Sequence, residues 1–218
     1  MLDYFKNYLK QPGLKRRVGI MLLGVFLMGF FLSFLIPINL GTDPCTFMNV
    51  TISGRLGILF GTWQLLLNLV LIIIVFISEY RYIGPGTIAN MVLIGYISDF
   101  FRWVWSNIIP NTCFTDMPSR AVIFVITLAG FIVSASLYMN ADVGVAPYDA
   151  MPLIVHDKFL KKVPFKFVRI GYDFLVIIIG CLFGGTPNIG IILMALALGP
   201  VITAVGKKLS RFLGVDVK

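Results

Sequence analysis

The sequence predicts an all-α polytopic membrane protein whose six transmembrane helices form two inverted three-helix repeats, each with a short broken or half-helix after its first span. Three observations support this fold class. Of the 218 residues, 58% are apolar and 13% are charged, whereas soluble domains carry roughly 25% charged residues. Apolar runs of about 20 residues, each long enough to cross roughly 30 Å of hydrocarbon, recur along the chain. The two halves of the chain also match each other at a nearly constant offset.

Glycine and proline separate the apolar runs, as in the Gly84-Pro85-Gly86 segment. Both residue types favour turns over continued helix. The first run follows a basic segment but is too long for a signal-peptide core and lacks a small-x-small cleavage site, so we expect it to be a membrane helix. The predicted spans are residues 18–38, 58–78, 86–106, 121–140, 165–184 and 188–206.

The basic residues predict the orientation, because lysine and arginine concentrate in the cytoplasmic loops of membrane proteins. Of the 18 lysines and arginines, 14 flank the spans on one side, only Arg55 and Arg120 fall on the other, and Arg102 and Arg169 lie within spans. We therefore expect both termini in the cytoplasm. The predicted organisation is a basic N-terminal segment (1–17), repeat 1 (18–106), an extracytoplasmic linker (107–120), inverted repeat 2 (121–206) and a basic tail (207–218).

Two connections resemble each other and are predicted to contain half-helices. Gly41 and Pro44 follow the first span, and Gly144 and Pro147 follow the fourth. Glycine ends a helix readily and proline is well placed at the first position of a new one. Each connection is therefore predicted to hold a short helix, re-entrant or interfacial, with an ordinary surface loop as the alternative.

The repeat extends beyond these connections. A shift of 103 residues places Met48 on Met151 and Arg55 on Lys158, and a shift of 105 places Asn68 on Asp173. Each repeat has three spans, an odd number, so the second enters the membrane from the opposite side. Inverted repeats with broken helices are typical of secondary transporters, which bind substrate near the midplane between the repeats. They also occur in channels, and chance similarity is the alternative.

Ionisable side chains at membrane depth are candidate functional groups because they are costly in lipid. Asp173 lies near the middle of the fifth span, four residues after Arg169, and Asn68 and Gln64 are their repeat equivalents. These four side chains are predicted to bind substrate, and Asp173 could carry a proton. The alternative is a structural ion pair between Arg169 and Asp173.

Further polar side chains lie at the predicted starts of the half-helices, where backbone N–H groups attract anions. They are Asp43, Thr46, Tyr148 and Asp149, and all four join the predicted substrate site. Asp43 is also a suitable N-cap, which would leave only the second half-helix open. Asp99 and Arg102, next to several aromatic residues, are interpreted as a surface ion pair.

No cofactor or metal site is predicted. The chain has one histidine and three cysteines without CxxC spacing, a pattern that does not suggest zinc or haem ligation. A disulfide between Cys45 and Cys113 is left open.

The segments Leu40–Pro44, Val143–Pro147 and Leu198–Pro200, with Gly190, resemble the YitT/YczE-like bacterial integral membrane proteins. The resemblance covers roughly residues 15–208 and is closer to the YczE branch, because the soluble C-terminal domain of the longer YitT-type proteins is missing. It implies a multi-pass protein of the bacterial inner membrane. It brings no known substrate or catalytic residues.

The function predicted first is an alternating-access permease for a small polar molecule or ion, and not an enzyme. The alternatives are a substrate-binding membrane subunit of a vitamin importer, or a channel. A membrane-embedded enzyme ranks last, because the single histidine is peripheral and no HExxH or GxSxG motif occurs; no Walker A motif occurs either, so any use of ATP would come from a partner. The expected partners are the lipid bilayer, the substrate and a second copy in a homodimer, with no nucleic acid.

Overall fold

The computed structural model describes residues 13–110 and 112–213. These residues form nine α-helices, a short 3-10 turn and no strand, so the all-α prediction is confirmed. Most of the predicted N-terminal segment 1–17 and the end of the basic tail, with Lys6, Lys10 and Lys218, lie outside the described residues. The helices are α1 (Leu14–Ile38), α2 (Pro44–Leu56), α3 (Phe60–Glu79), α4 (Pro85–Ile108), α5 (Thr112–Thr115), α6 (Met117–Asn140), α7 (Pro147–Lys158), α8 (Phe165–Leu182) and α9 (Ile189–Leu213).

Four helical segments are long and apolar enough to cross a membrane. The two other long helices are less apolar, because α4 carries Asp99 and Arg102 and α8 carries Lys166, Arg169 and Asp173. The protein is thus a membrane protein with helices at all six predicted positions, and the six-span inverted arrangement stays a prediction. The four segments are Leu14–Ile38, Phe60–Tyr82, Met117–Asn140 and Ile189–Lys208.

Helix α1 packs extensively against α4 and α6. Its side chains Val25 and Leu35 are fully buried, and they belong to a cluster with Ile94 of α4 and Phe131 of α6. Lipid tails are as apolar as these side chains, so tight packing and hydrogen bonds, more than exclusion of water, hold such helices together.

The two short helices α2 and α7 each pack against a long helix from the other half of the chain. Helix α2 lies against α8, and α7 lies against α3. Met48 of α2 and Tyr148 of α7 share one buried cluster with Val176 of α8. This packing places polar residues from the starts of α2 and α7 near the charged residues of α8.

Candidate functional site

The start of α7 supplies two of the site residues. Ala146 precedes the helix, Pro147 occupies its first turn, and no side chain caps its N-terminus. Tyr148 and Asp149 follow in the first turn. Because the first N–H groups of a helix have no partner within it, this end carries partial positive charge beside an acidic side chain.

Arg169 of α8 joins two carboxylates from different helices. Its Nη1 donates a hydrogen bond to Oδ1 of Asp149 at 2.7 Å, and its Nε donates one to Oδ2 of Asp173 at 3.1 Å. The Tyr148 hydroxyl donates a hydrogen bond to the other oxygen of Asp173, Oδ1, at 2.9 Å. The structure thus brings together four of the predicted site residues, which we call the charged cluster: Tyr148, Asp149, Arg169 and Asp173.

The ionisable side chains of the charged cluster differ in the fraction of their surface that is exposed to solvent. The side chain of Asp173 is 6% exposed, that of Arg169 24% and that of Asp149 31%. The Arg169 guanidinium also lies 5.5 Å from the centre of the Tyr148 ring, within the range of a cation–π contact. A group entering from the Asp149 side would meet the accessible carboxylate first and Asp173 last.

Asp43 and Thr46 lie at the start of α2. Asp43 accepts a hydrogen bond from the Thr46 backbone N–H at 3.0 Å and one from its hydroxyl at 2.6 Å. Asp43 is also close enough to Asp149 and Arg169 to interact with them electrostatically. With Asp43 included, the region holds three carboxylates and one guanidinium, a formal charge of minus two before any proton binds.

Gln64 and Asn68 are not part of the charged cluster. Both are buried on α3, and the amide oxygen of Gln64 lies near Gly95 of α4. Within residues 13–110 and 112–213, no hydrogen bond recorded for the charged cluster involves either amide. Their predicted role in substrate binding therefore stays a prediction.

The predicted ion pair between Asp99 and Arg102 is present, with Arg102 Nη1 at 3.2 Å from Asp99 Oδ1, but Asp99 does not lie at the surface. Its side chain is only 12% exposed, and its Oδ2 accepts a hydrogen bond from the Gly61 backbone N–H at 2.7 Å, near the start of α3. Asp99 therefore stabilises the first turn of a neighbouring helix. The pairing joins residues 38 positions apart, which no local spacing rule indicates.

Two arginines that the sequence interpretation used only for orientation cap helix ends in the other half of the chain. The Arg120 Nε and Nη2 donate hydrogen bonds to the Ile38 carbonyl at the end of α1, at 3.0 and 2.6 Å. The Arg17 Nε donates to the Ala141 carbonyl, just after α6, at 2.8 Å. Both pairs match at the 103-residue offset of the repeat, a signal already present in the sequence.

Tyr82, which follows α3, forms hydrogen bonds with residues at both ends of α7. Its carbonyl accepts a hydrogen bond from the Val145 N–H at 2.9 Å, and its hydroxyl donates one to Oδ2 of Asp157 at 2.9 Å. Tyr82 and Val145 also pack against the buried side chains of Ala150 and Ile154. We call these contacts the Tyr82 closure.

The part of the chain that the structure describes contains no group of three or more His, Cys, Asp or Glu side chains arranged to hold a metal ion. Cys45 and Cys113, whose pairing was left open, both have free thiols.

A family model described as a family of unknown function, DUF6198, matches residues 15–207. This chain belongs to the DUF6198 family. The match covers every long helix almost completely, so the charged cluster and both half-helices lie within the family region.

Two curated proteins of Bacillus subtilis (strain 168) are similar to this DUF6198 chain. It is 25% identical over 176 residues to the uncharacterized protein YyaS, covering 78% of this chain and 83% of YyaS. It is 26% identical over 165 residues to the uncharacterized membrane protein YczE, covering 75% and 72% respectively. The predicted YczE-like family is thereby confirmed. No solved structure matches the chain significantly.

Proposed function

We propose that this protein is a permease that moves a small polar molecule or ion across the bacterial inner membrane by alternating access. Both termini would face the cytoplasm, and the substrate would bind at the charged cluster, near the midplane between two inverted repeats. The observation that carries the proposal is the bridging of Asp149 and Asp173 by Arg169, since these ionisable groups come from two helices of a membrane protein.

Reciprocal contacts support the inverted repeat. Arg17 hydrogen-bonds to Ala141, and Arg120 hydrogen-bonds to Ile38. A shift of 103 converts one pair into the other with the two partners exchanged between the halves. Exchange of partners is what a two-fold relation between two similar units produces.

The backbone supports the same relation at the helix breaks. Asn39 and Asp142, also 103 residues apart, have positive φ angles of 51° and 49°. A Cβ atom at Gly41 would lie 2.9 Å from the Cα of Gly190, and one at Gly144 would lie 2.7 Å from the nitrogen of Gly84. Each connection therefore passes the start of a long helix at a distance that only glycine permits.

The charged cluster offers a mechanism for coupling to protons. Arg169 pairs with both carboxylates at once, so its single positive charge leaves Asp149, Arg169 and Asp173 with a net charge of minus one. Protonation of Asp173 would remove its charge and free Arg169 to remain with Asp149 alone. A rearrangement that separates Arg169 from Asp173 would favour the neutral carboxyl, because an isolated buried carboxylate is costly. Substrate and proton binding could thus be linked through one arginine.

The Tyr82 closure supports an alternating mechanism. Tyr82 contacts Val145, just before α7, and Asp157, in the last turn of α7, whereas a pocket lies beside the equivalent stretch of α2. An open cavity beside one half-helix and closed packing beside its repeat equivalent form the kind of asymmetry that alternating access requires. The closure lies on the side predicted to be cytoplasmic.

Identification of a substrate is the first experiment. Thermal unfolding of the purified protein across a metabolite panel should reveal it, because a ligand at 100 times its Kd adds about 2.7 kcal/mol to stability. Uptake of that ligand into proteoliposomes with an imposed pH gradient then tests transport. Gradient-independent equilibration by the wild type would indicate a channel and contradict the permease.

The Asp173→Asn variant tests the proton role. It keeps the shape of the side chain and reproduces the residue at the repeat-equivalent position, Asn68. We expect it to bind and exchange substrate but not to accumulate it against a gradient. Asp116→Asn, which removes an exposed carboxylate outside the cluster, is the matched control and should accumulate substrate like the wild type. Full uphill transport by a well-folded Asp173→Asn protein would refute the proton role.

A further inference from the structure

A polar cavity lies between α2 and the connection between α8 and α9. Its volume is about 440 Å³, within the range of roughly 300–1,000 Å³ typical of small-molecule sites. It is distinct from the charged cluster, although Thr42 in its lining precedes Asp43 directly in the chain. We call it the outer pocket, and its polar lining residues are Asn39, Thr42, Thr51, Arg55 and Thr186.

The outer pocket carries positive charge only. Arg55 lines it, and none of its lining residues is acidic. Across the described ranges 13–110 and 112–213, no carboxylate forms an ion pair with Arg55. Asp43, at the other end of α2, is twelve residues away, a distance of about 18 Å at 1.5 Å per residue.

The remaining lining suits a small solute with both polar and apolar parts. The Asn39 amide and the Thr186 hydroxyl can donate hydrogen bonds, and the rings of Phe47 and Phe183 supply apolar walls. Arginine binds carboxylate and phosphate oxygens through its planar set of donors.

The equivalent region in the second half of the chain is filled. A shift of 103 takes Thr42 to Val145, Phe47 to Ala150 and Thr51 to Ile154, and these three apolar side chains pack against Tyr82. Lys158 is the counterpart of Arg55 there. A basic residue therefore occupies this repeat position in both halves of the chain, but an open pocket lies only beside Arg55.

We propose that the outer pocket binds the anionic group of a small solute, a carboxylate or phosphate, with Arg55 as its charged ligand. Its role as the substrate entrance rests on the proposed permease function. In that function the anion would move on to the charged cluster, whose carboxylates would repel it while they are ionised. Passage of the anion would thus require proton uptake by the cluster, and the substrate would be an organic anion transported together with protons.

The test measures the electrostatic potential in the pocket and needs no known substrate. A cysteine replaces Thr51 in a protein whose three native cysteines are serines, and it is labelled on intact cells. The two probes are the anionic sulfonatoethyl and the cationic trimethylammonioethyl methanethiosulfonates. Thr51 and Arg55 are four residues apart on α2 and therefore lie on the same face of the helix, so we take the probe charge and the guanidinium charge to be about 6 Å apart. One unit charge at that distance in water changes the ratio of anionic to cationic labelling rates about tenfold.

We expect Arg55→Gln to lower this ratio about tenfold at low ionic strength, and Arg55→Lys to preserve it. Lys158→Gln, which removes the repeat-equivalent charge at the other end of the molecule, is the matched control and should leave the ratio unchanged. High salt should lower the ratio in the protein that retains Arg55, a measurement independent of how well Arg55→Gln folds. A ratio that is insensitive to both Arg55→Gln and salt would overturn the proposal, whatever the Asp173→Asn transport assay gives.

Inorganic phosphate then tests occupancy. It should slow labelling of the Thr51→Cys protein in a neutral detergent but not that of the same protein carrying Arg55→Gln. If a lipid headgroup is the natural anion, phosphatidylglycerol in phosphatidylcholine vesicles should slow labelling instead. Either result supports an anion site and identifies its source. If neither inorganic phosphate nor phosphatidylglycerol slows the labelling, the proposed anion site is refuted.

Discussion

Removal of Arg169 alone should destabilise the protein more than removal of Arg169 together with the charge of its partner, Asp173. The Arg169→Gln substitution eliminates the hydrogen bonds at 2.7 and 3.1 Å to Asp149 and Asp173. Asp173 then remains with a side chain only 6% exposed and keeps the hydrogen bond from Tyr148. Breaking a buried pair by removal of one partner costs about 3–5 kcal/mol, because the other charge stays buried without compensation. Asp149 is more accessible and should contribute little to this loss.

The double variant Arg169→Gln with Asp173→Asn removes the buried charge as well. Its pair of side chains is the one that the first repeat already carries as Gln64 and Asn68, four residues apart on α3. We therefore expect the double variant to be about 2–3 kcal/mol more stable than Arg169→Gln. The effects of the two substitutions are coupled because the two residues are in contact.

Thermal unfolding in detergent, followed by intrinsic tryptophan fluorescence, measures this cycle. The expected order of Tm is wild type, then the double variant, then Arg169→Gln. The Asp116→Asn variant again serves as a control and should melt like the wild type. An Arg169→Gln protein as stable as the wild type would refute the reasoning, since Asp173 would then not depend on the arginine.

Three further predictions follow from the structure. Arg17→Gln and Arg120→Gln should each lower the free energy of unfolding by a similar amount, about 1.5–3 kcal/mol for a charged hydrogen bond; a loss at only one would contradict the two-fold relation. Single cysteines at the exposed Leu59 and Lys161 should react differently with a membrane-impermeant maleimide on intact cells, and labelling of both from outside would contradict the inverted topology. Hydrogen bonds from His156 and Tyr82 lower the pKa of Asp157 below its ordinary value of 3.8. The hydrogen bond from Tyr82 to the ionised Asp157 carboxylate should therefore be lost only when the pH falls below 3.8. With His156→Gln present in both proteins to remove its contact with Asp157, the uptake rate of Asp157→Asn relative to the protein that retains Asp157 should accordingly be the same at pH 5 and pH 8, and a ratio that changes over this range would refute the assignment.

The class of the protein and the positions of its helices follow from local properties of the sequence. Long apolar runs must form helices in lipid, because a helix satisfies its backbone hydrogen bonds internally. Pro44 and Pro147 begin new helices because proline lacks the N–H that the first turn does not use. The pairing of Asp43 with Thr46 is equally local, since an N-cap reaches only three residues along the chain. The four-residue spacing of Arg169 and Asp173 predicted their contact for the same reason.

The other functional contacts depend on tertiary structure. Asp149 meets Arg169 across 20 residues, Asp99 meets Gly61 across 38, and Arg120 meets Ile38 across 82. No periodicity of the sequence encodes these pairs, because each depends on the angle and depth at which two helices cross. The repeat indicated that such contacts would come in related pairs, but not which polar groups would face each other. The sequence by itself determined where the six long helices and the two half-helices lie along the chain. The packing of α7 against α3 and α8 decided that three separate acidic and basic positions became one charged cluster.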